Sequence, residues 1–406
     1  MRLLNVQTKE LRWFNEDERE PYAILSHTWG SEEITLQELS LIAECRDKST
    51  FHPSTSKMGY RKIEGCCYQA RENGLDAELS EAINSMYRWY KESFVCYVYL
   101  DDVSSDNINL SADGSPFRKS RWFTRGWTLQ ELVAPENVSF FSNSWSFLGA
   151  RSSIEILLEE ITGIPFVLLS EYGIHYFGTA QRMCWAAKRK TTRREDIAYC
   201  LLGIFNVNMP LSYGEGDKAF RRLQEEIIRQ STDQTILAWG FQNPYILDKA
   251  HDSGGTTSIL ARSPSQFIGC EDMVPCESEI GEHFEITQKG IRVELQRAFT
   301  GHVVLKCRSL RHIDGCVAIM LHLDQAADNT LWSKWPELSM VDFIGTRLKK
   351  ENPVIIRPTN TSYRALKFQL QIATVPSTAS LLKYHHKSSI VIVPSKRQVY
   401  ELILAD

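Results

Sequence analysis

Short, fully apolar runs alternate along the chain with longer stretches whose apolar residues recur every three or four positions. Tyr22-Ala23-Ile24-Leu25-Ser26 ends abruptly in His27-Thr28-Trp29-Gly30. This is the pattern of a buried strand whose carboxyl end carries polar groups and a turn. Ile63, Cys67 and Ala70 then share one helical face, and Gly74 stands where that helix should stop. Leu79, Ile83, Met86 and Tyr90 form the inner stripe of a second predicted helix. Phe94-Val95-Cys96-Tyr97-Val98-Tyr99-Leu100 suits a central strand stopped by Asp101-Asp102, and Val138-Ser139-Phe140-Phe141 reads as another. The order is strand, helix, helix, strand, helix, strand. An α/β sheet normally places a strand between consecutive crossover helices, yet only Gly74-Leu75-Asp76 separates the first two. The pattern therefore predicts a sheet with one strand missing.

The third helical stretch, Trp122 to Pro135, is unusual because it is apolar on two sides. Trp122, Leu129, Leu132 and Val133 make an ordinary core stripe. Phe123, Trp127 and Glu131 fall four apart on the opposite side, with Gln130 beside them. A carboxylate one turn after two aromatic rings is poorly solvated, so its pKa should rise, a common preparation for acid–base chemistry at neutral pH. The plainer reading packs the rings under a second layer and pairs Glu131 with Arg125 or another cation.

Further along, Ile154 to Ile161 predicts a short helix and Met183 to Gln230 a helical block. Thr192-Arg193-Arg194-Glu195 fits a capping box, with Ile197, Leu201 and Ile204 behind it. Phe220, Leu223, Ile227 and Ile228 predict the inner face of the next helix. Lys188-Arg189-Lys190 with Arg193-Arg194 suggests either a phosphate site or, preferably, a solvated helix face or helix–helix pairing. Gly214-x-Gly216 lacks the strand and third glycine of a phosphate loop. From about Asn243 the composition changes. Ile291 to Leu295, His302 to Cys307, Cys316 to Leu323, Phe368 to Ile372 and Ile390 to Val393 alternate with period two, which predicts an antiparallel sheet or sandwich. His322 with Asp324, and His312 with Cys316, do not complete a metal-ligand set, so no metal is expected.

Composition narrows the classes. The 406 residues, 43% hydrophobic and 24% charged, have room for two to three domains of an ordinary globular protein. A formal charge of −4 gives no electrostatic footprint for nucleic acid or an anionic membrane. Ten cysteines without a Cys-x-x-Cys pair read as reduced thiols. The amino terminus turns polar too soon for a signal peptide, and no apolar run approaches the roughly 18 residues of a membrane span. These features predict a soluble, cytoplasmic protein.

Three blocks resemble the fungal heterokaryon incompatibility (HET) domain family: Tyr22 to Gly30, Ala82 to Asp102, and Trp122 to Pro135 with its Trp-Thr-Leu-Gln-Glu core. They span roughly residues 1–150. Met183 to Gly216 looks like the helical segment that often follows this domain. The resemblance implies a role in recognition of non-self between fungal cells and in programmed cell death. The HET domain is in turn similar to the Toll/interleukin-1 receptor (TIR) domain, a flavodoxin-like fold. Trp127-Thr128-Leu129-Gln130-Glu131-Leu132 is similar to the Trp-Cys-x-x-Glu-Leu motif whose glutamate is catalytic in TIR domains that cleave NAD. Carried over, Glu131 is the candidate catalytic residue. Ser26, His27, Trp29, Asp101 and Trp127 are the candidate substrate-binding residues, since open α/β sheets bind ligands at the carboxyl ends of their strands. No cofactor is implied, NAD being a substrate.

The expected architecture is thus an α/β, flavodoxin/TIR-like parallel sheet over 1–150 lacking one edge strand. A helical segment over 151–240 and a mainly antiparallel β domain over 241–406 should follow. Family members carry a strand and turn with an aromatic–Asp–Cys-Ile-Asp pattern between the two early helices. Here the chain passes from Asp76 to Ala77 without it. That absence predicts a tight helical hairpin of 59–74 and 78–92, an exposed edge along Ala23-Ile24-Leu25, and a pocket open on one side. Two functional readings follow. One is an NAD glycohydrolase in which Glu131 stabilises positive charge on the ribosyl ring. The other is a non-catalytic interaction module that binds death-effector proteins or self-associates through its aromatic face. The missing strand favours the module, or an inactive variant; a gene model that folds poorly is a third, blander reading.

Overall fold

In the computed structural model, Tyr22–His27 is the hub of a seven-stranded sheet because every side chain from Tyr22 to Ser26 is buried. The structure describes residues 2–13, 21–47, 50–78, 83–104, 109–240, 259–276, 284–286, 290–297, 302–311, 315–323, 331–342 and 398–403. Contacts divide the chain into two compact units. One is Met1–Ile174 with Arg189–Asn208; the other is His175–Lys188 with Met209–Asp406.

The first unit opens with a hairpin of β1 (Arg2–Leu4) and β2 (Leu11–Trp13), followed by β3 (Tyr22–His27). Helices α1 (Leu36–Asp47) and α2 (Met58–Glu72) come next, then β4 (Asp76–Glu78), α3 (Met86–Glu92) and β5 (Val95–Tyr99). α4 (Pro116–Lys119) and α5 (Thr128–Val133) precede a hairpin of β6 (Val138–Phe141) and β7 (Phe147–Ala150). α6 (Glu155–Thr162) and α7 (Phe166–Tyr172) close the first stretch. Strand order is β2-β1-β4-β3-β5-β6-β7. β4, β3, β5 and β6 run parallel, whereas β1 and β7 pair antiparallel at either side. The two long apolar runs are adjacent and parallel, as their pattern predicts.

Alternation along β3 sends its side chains to two different layers. Ala23 and Leu25 pack with Ile63, Cys66, Cys67 and Ala70 of α2. On the other face, the Tyr22 hydroxyl donates to the Trp89 carbonyl of α3 (2.7 Å), and Ser26 meets α5.

The expected gap in this sheet is filled. Asp76–Glu78 forms β4 against β3, in register Tyr22↔Asp76, Ala23↔Ala77 and Ile24↔Glu78, and β1 covers its other edge. Three residues suffice because Gly74, at φ +68°, turns the chain sharply out of α2, and Ala77 is small enough to bury completely. The backbone at Ala23 and Ile24 is therefore paired on both sides, Leu25 pairs with β5, and the sheet ends on this side at β2. No tight hairpin of 59–74 and 78–92 forms. The second predicted helix shrinks to α3, and Leu79 lies outside the described residues.

The single helix expected over Trp122–Leu132 is also two pieces, a 3-10 turn at Arg121–Thr124 and then α5. Between them Arg125 lies extended beside Lys190 in a parallel bridge, and the Gly126 N–H donates to the Lys190 carbonyl (2.9 Å). The strap that supplies Lys190 carries α9 (Asp196–Tyr199) and α10 (Leu202–Phe205) after α8 (Thr179–Ala186) of the second unit. The predicted capping box at Thr192 does not form; Glu195 occupies the N-cap and its side chain makes no capping hydrogen bond.

Among the described residues the second unit contains α8, α11 (Lys218–Gln230) and eight strands. Phe220, Leu223, Ile227 and Ile228 are buried on α11, as their spacing predicts. β8 (Met273–Pro275) pairs with β12 (Cys307–Ser309). β9 (Glu285–Ile286), β10 (Gly290–Arg297), β11 (His302–Val304), β13 (Gly315–Leu323), β14 (Leu331–Asp342) and β15 (Gln398–Ile403) form a sheet in the order β11-β13-β14-β15-β10-β9. Its pairings are antiparallel except β14–β15, and an added β10–β11 pairing closes it on itself. The predicted strands Phe368–Ile372 and Ile390–Val393, and His312 and Asp324, lie outside the described residues. Among the described residues no helix is long and apolar enough to cross a membrane.

Candidate functional site

The carboxyl end of β3 carries two distinct polar groups, one on each face. Ser26 belongs to the first. Its side chain is fully buried, and its hydroxyl accepts from the Trp122 indole N–H (2.8 Å) while donating to Glu131 Oε2. Trp122 reaches it because Asp102 anchors the 3-10 turn: Ser120 Oγ donates to Asp102 Oδ1 (2.7 Å) and the Arg121 N–H to Oδ2 (2.8 Å). Glu131 is 6% exposed. Burial pushes its carboxyl up to about 7, against the opposing pull of the Ser26 hydrogen bond and the Arg189 charge. Its hydrogen-bond partner is thus a hydroxyl rather than a cation, and it stands half ionised at neutral pH.

The break in the helix removes Phe123 from the aromatic stripe drawn from the sequence, while Trp127, in helical conformation at the N-cap, stays one turn before Glu131. Phe123 packs edge-on against Phe117 and Trp122 within the core, and Trp127 stands half-buried at the N-cap of α5. Glu131 is desolvated by its burial at the end of β3, where it is bonded to Ser26 and feels the charge of Arg189 from the strap.

The second group faces α2. Lys62, 3% exposed, donates to Glu33 Oε1 (2.6 Å), to the Thr28 carbonyl (3.1 Å) and toward His27 Nδ1 (3.3 Å). Burial and this ammonium lower the His27 pKa, outweighing the Thr28 carbonyl 3.2 Å from Nδ1, so the imidazole is neutral at pH 7. Glu33 also accepts from the Gly30 N–H (2.7 Å), and its carboxyl is held below its ordinary value by His27, Lys62 and that N–H, which outweigh its own desolvation. Trp29 is 59% exposed and stacks on His27 with centroids 6.2 Å apart at 16°. Asp101 lies between the groups, accepting from Thr28 Oγ1 (3.2 Å) and pairing with Arg121.

The structure therefore brings Ser26 and Glu131 together and places His27 and Trp29 in the neighbouring group, with Asp101 beside both. Lys62 and Glu33 escape the sequence reading, and Arg189 entered it only as one member of a basic cluster. Lys62 had a signal, since Gly59, Lys62, Cys66 and Ala70 lie three or four apart on one buried face, and a cation there needs a partner. Arg189 is 6% exposed, so the expectation of a solvated basic face fails there. A cleft of about 540 Å3 opens elsewhere, between α2 and the β1–β2 loop, and shares no lining residue with either group. Among the described residues no cluster of three or more His, Cys, Asp or Glu side chains could hold a metal.

Known proteins add a second line of observation. Residues 218–297 match a family described as a domain of unknown function (DUF8212). The chain is 46% identical over 229 residues to the vegetative incompatibility protein HET-E-1 of Podospora anserina. That alignment covers 51% of this chain but only 16% of the relative. No solved structure matches the chain.

Proposed function

We propose that this chain, a fungal protein of heterokaryon incompatibility type, acts in non-self recognition and cell death by cleaving NAD at Glu131. Glu131 is the carboxylate enclosed with Ser26 and Trp122 at the end of β3. The observation that carries the reading is Glu131 itself, buried, bonded to a hydroxyl and raised to about 7 beside Ser26. In the proposed reaction the bond between the ribosyl C1′ and the nicotinamide nitrogen breaks, and nicotinamide leaves with the electron pair. The positive charge left on the ribosyl ring is stabilised by the Glu131 carboxylate. Water then adds to C1′ and gives up a proton. A carboxylate fixed away from bulk water is worth more to that cation than one in solvent, because the surrounding dielectric is low. Continuity of the sheet at β4 supports the reading, since the first strand is not left as the open edge that the sequence implied.

Burial also supports a second reading. A carboxyl only 6% exposed, enclosed by internal partners, suits a non-catalytic interaction module in which Glu131 only organises the fold. Nicotinamide release from NAD by the purified chain separates the two. The catalytic reading expects release that rises between pH 6 and 8 as Glu131 ionises, and a fall of about 100-fold or more in Glu131→Gln. No release by the native protein leaves the module; equal release by native protein and variant removes Glu131 from the reaction.

A further inference from the structure

A site confined to residues 1–150 would lack one of its walls. Residues 189–208 return to the sheet unit and lie along the loop and helix that carry Glu131. Backbone pairing fixes the contact: the Lys190 N–H donates to the Thr124 carbonyl (2.7 Å), and the Gly126 N–H to the Lys190 carbonyl (2.9 Å). Close packing follows from it. A Cβ on Gly126 would stand 2.5 Å from Thr191 Cγ2 and 3.1 Å from Cys200 Sγ. On the strap, a Cβ on Gly203 would stand 2.1 Å from Tyr87 Cβ and 2.7 Å from Gln130 Oε1, one residue from Glu131. Two glycines thus permit an approach that any side chain would prevent.

Arg189 enters through this contact. Its guanidinium is buried, and one terminal nitrogen donates to both the Arg125 carbonyl and Thr128 Oγ1 (2.9 Å each). Those acceptors are the residue before Gly126 and the first residue of α5, the helix that holds Glu131 one turn later. Thr128 Oγ1 in turn donates to the Trp122 carbonyl (2.6 Å), tying α5 to the residue that bonds Ser26. Arg189 therefore grips both supports of the Ser26–Glu131 pair. We propose that the strap 189–208 is the second half of the Glu131 site, and that Arg189 is the positioning residue holding α5 against the end of β3. Its catalytic meaning rests on the NAD-cleaving reading, but the positioning does not.

The charge on Glu131 reports the contact directly. Arg189 and Glu131 each feel the other electrostatically, and both sit where water cannot screen them. In the full chain, the carbonyl stretch of protonated Glu131 can be followed by infrared difference spectroscopy, its band assigned by its absence in Glu131→Gln. The native midpoint is expected near 7. Arg189→Gln keeps a donor for the Arg125 carbonyl and loses the charge, so the midpoint should rise by about one unit. Arg189→Lys keeps the charge and should return it most of the way. A folded Arg189→Gln protein with an unmoved midpoint overturns the inference. Should that variant fail to fold, the native chain decides the matter through the Arg189 guanidinium nitrogen resonance. That signal must titrate with the Glu131 midpoint and lose the step in Glu131→Gln; a flat signal overturns the inference. A midpoint that moves in a chain releasing no nicotinamide sinks the proposed reaction and leaves the positioning role standing.

Discussion

Two glutamates flank the end of β3, and the strand separates their fates. Glu33 faces α2 among a lysine, an imidazole and a backbone N–H, and its pKa is lowered. Glu131 faces α5, bonded to a hydroxyl, and is pushed up to about 7. Desolvation is the largest raising influence on both. The difference lies in what each receives in return. A carboxylate with a buried ammonium beside it is a fixed ion, suited to holding a loop. One offered only a hydroxyl hydrogen bond stays poised between its two charge states. Adjacent residues of one strand, Ser26 and His27, feed these opposite environments because successive side chains leave opposite faces.

The comparison breaks first on the α2 side. Removing Glu33 leaves the Lys62 ammonium buried without its carboxylate, the costly half of a broken buried pair. Glu33→Ala should destabilise the fold by about 3 kcal/mol in urea denaturation, at the lower end for such pairs because Glu33 retains some exposure. Lys62→Met should cost less, since the remaining carboxylate is near enough to solvent to protonate or hydrate. Because the folded pKa of Glu33 is lowered, its contribution is present above the ordinary carboxylate range and is lost as pH falls through the folded value. Native protein should therefore lose stability below about pH 4 more steeply than Glu33→Gln. Equal acid sensitivity of the two would show that the ion pair holds nothing.

On the α5 side the slope has the opposite sign. Glu131 binds its proton more tightly folded than unfolded, so stability falls as pH rises from 4.5 toward 7. The accumulated cost is about 3 kcal/mol at pH 8. Glu131→Gln should remove most of it, melting higher than native protein at pH 8 and about equally at pH 4. Gain in stability with loss of nicotinamide release would mark a carboxylate kept for chemistry; gain with no activity to lose would not. A variant no more stable at pH 8 would mean that Glu131 is better solvated than its surroundings imply.

How far these environments could be read in advance depends on their pattern. Tyr22–Ser26 and Phe94–Leu100 were legible because an uninterrupted apolar run must be buried on both faces. β4 was not, for Asp76-Ala77-Glu78 has one apolar residue and two acids, and its place is set by Gly74 and by neighbours on both sides. The break at Gly126 was hidden in the same way, since its cause is Lys190 and Thr191, over sixty residues downstream. Glu131 could be singled out from its apolar surroundings on the helix, and Ser26 from its place at a strand end. Phe123 was wrongly placed beside Glu131, because period-four geometry requires an unbroken helix and the break falls between Phe123 and Trp127. Glu33 gave no signal at all: one of two adjacent acids in a polar loop looks solvated until Lys62 is seen above it.

The smallest effect sharpens the comparison most cleanly, because it touches one group and should leave the other alone. Trp29 is 59% exposed, so most of its ring contributes nothing by burial. Trp29→Ala should change stability by no more than about 0.5 kcal/mol, as for other surface substitutions. What the ring does contribute is a lid on His27, which lies against it at 16°. Desolvation is the largest cause of the lowered His27 pKa, and Lys62 the next. Lifting the lid weakens the first and leaves the second, so the His27 midpoint should rise but remain below that of a free imidazole. The imidazole proton resonances read this by NMR titration. On the opposite face, the Glu131 midpoint should not move, because its enclosure comes from Ser26, Trp122 and the strap. If Trp29→Ala shifts both midpoints, the two groups form a single pocket continuous around the end of β3. If it shifts neither, His27 is shielded from below by α2 and the stacked indole is free to meet something else.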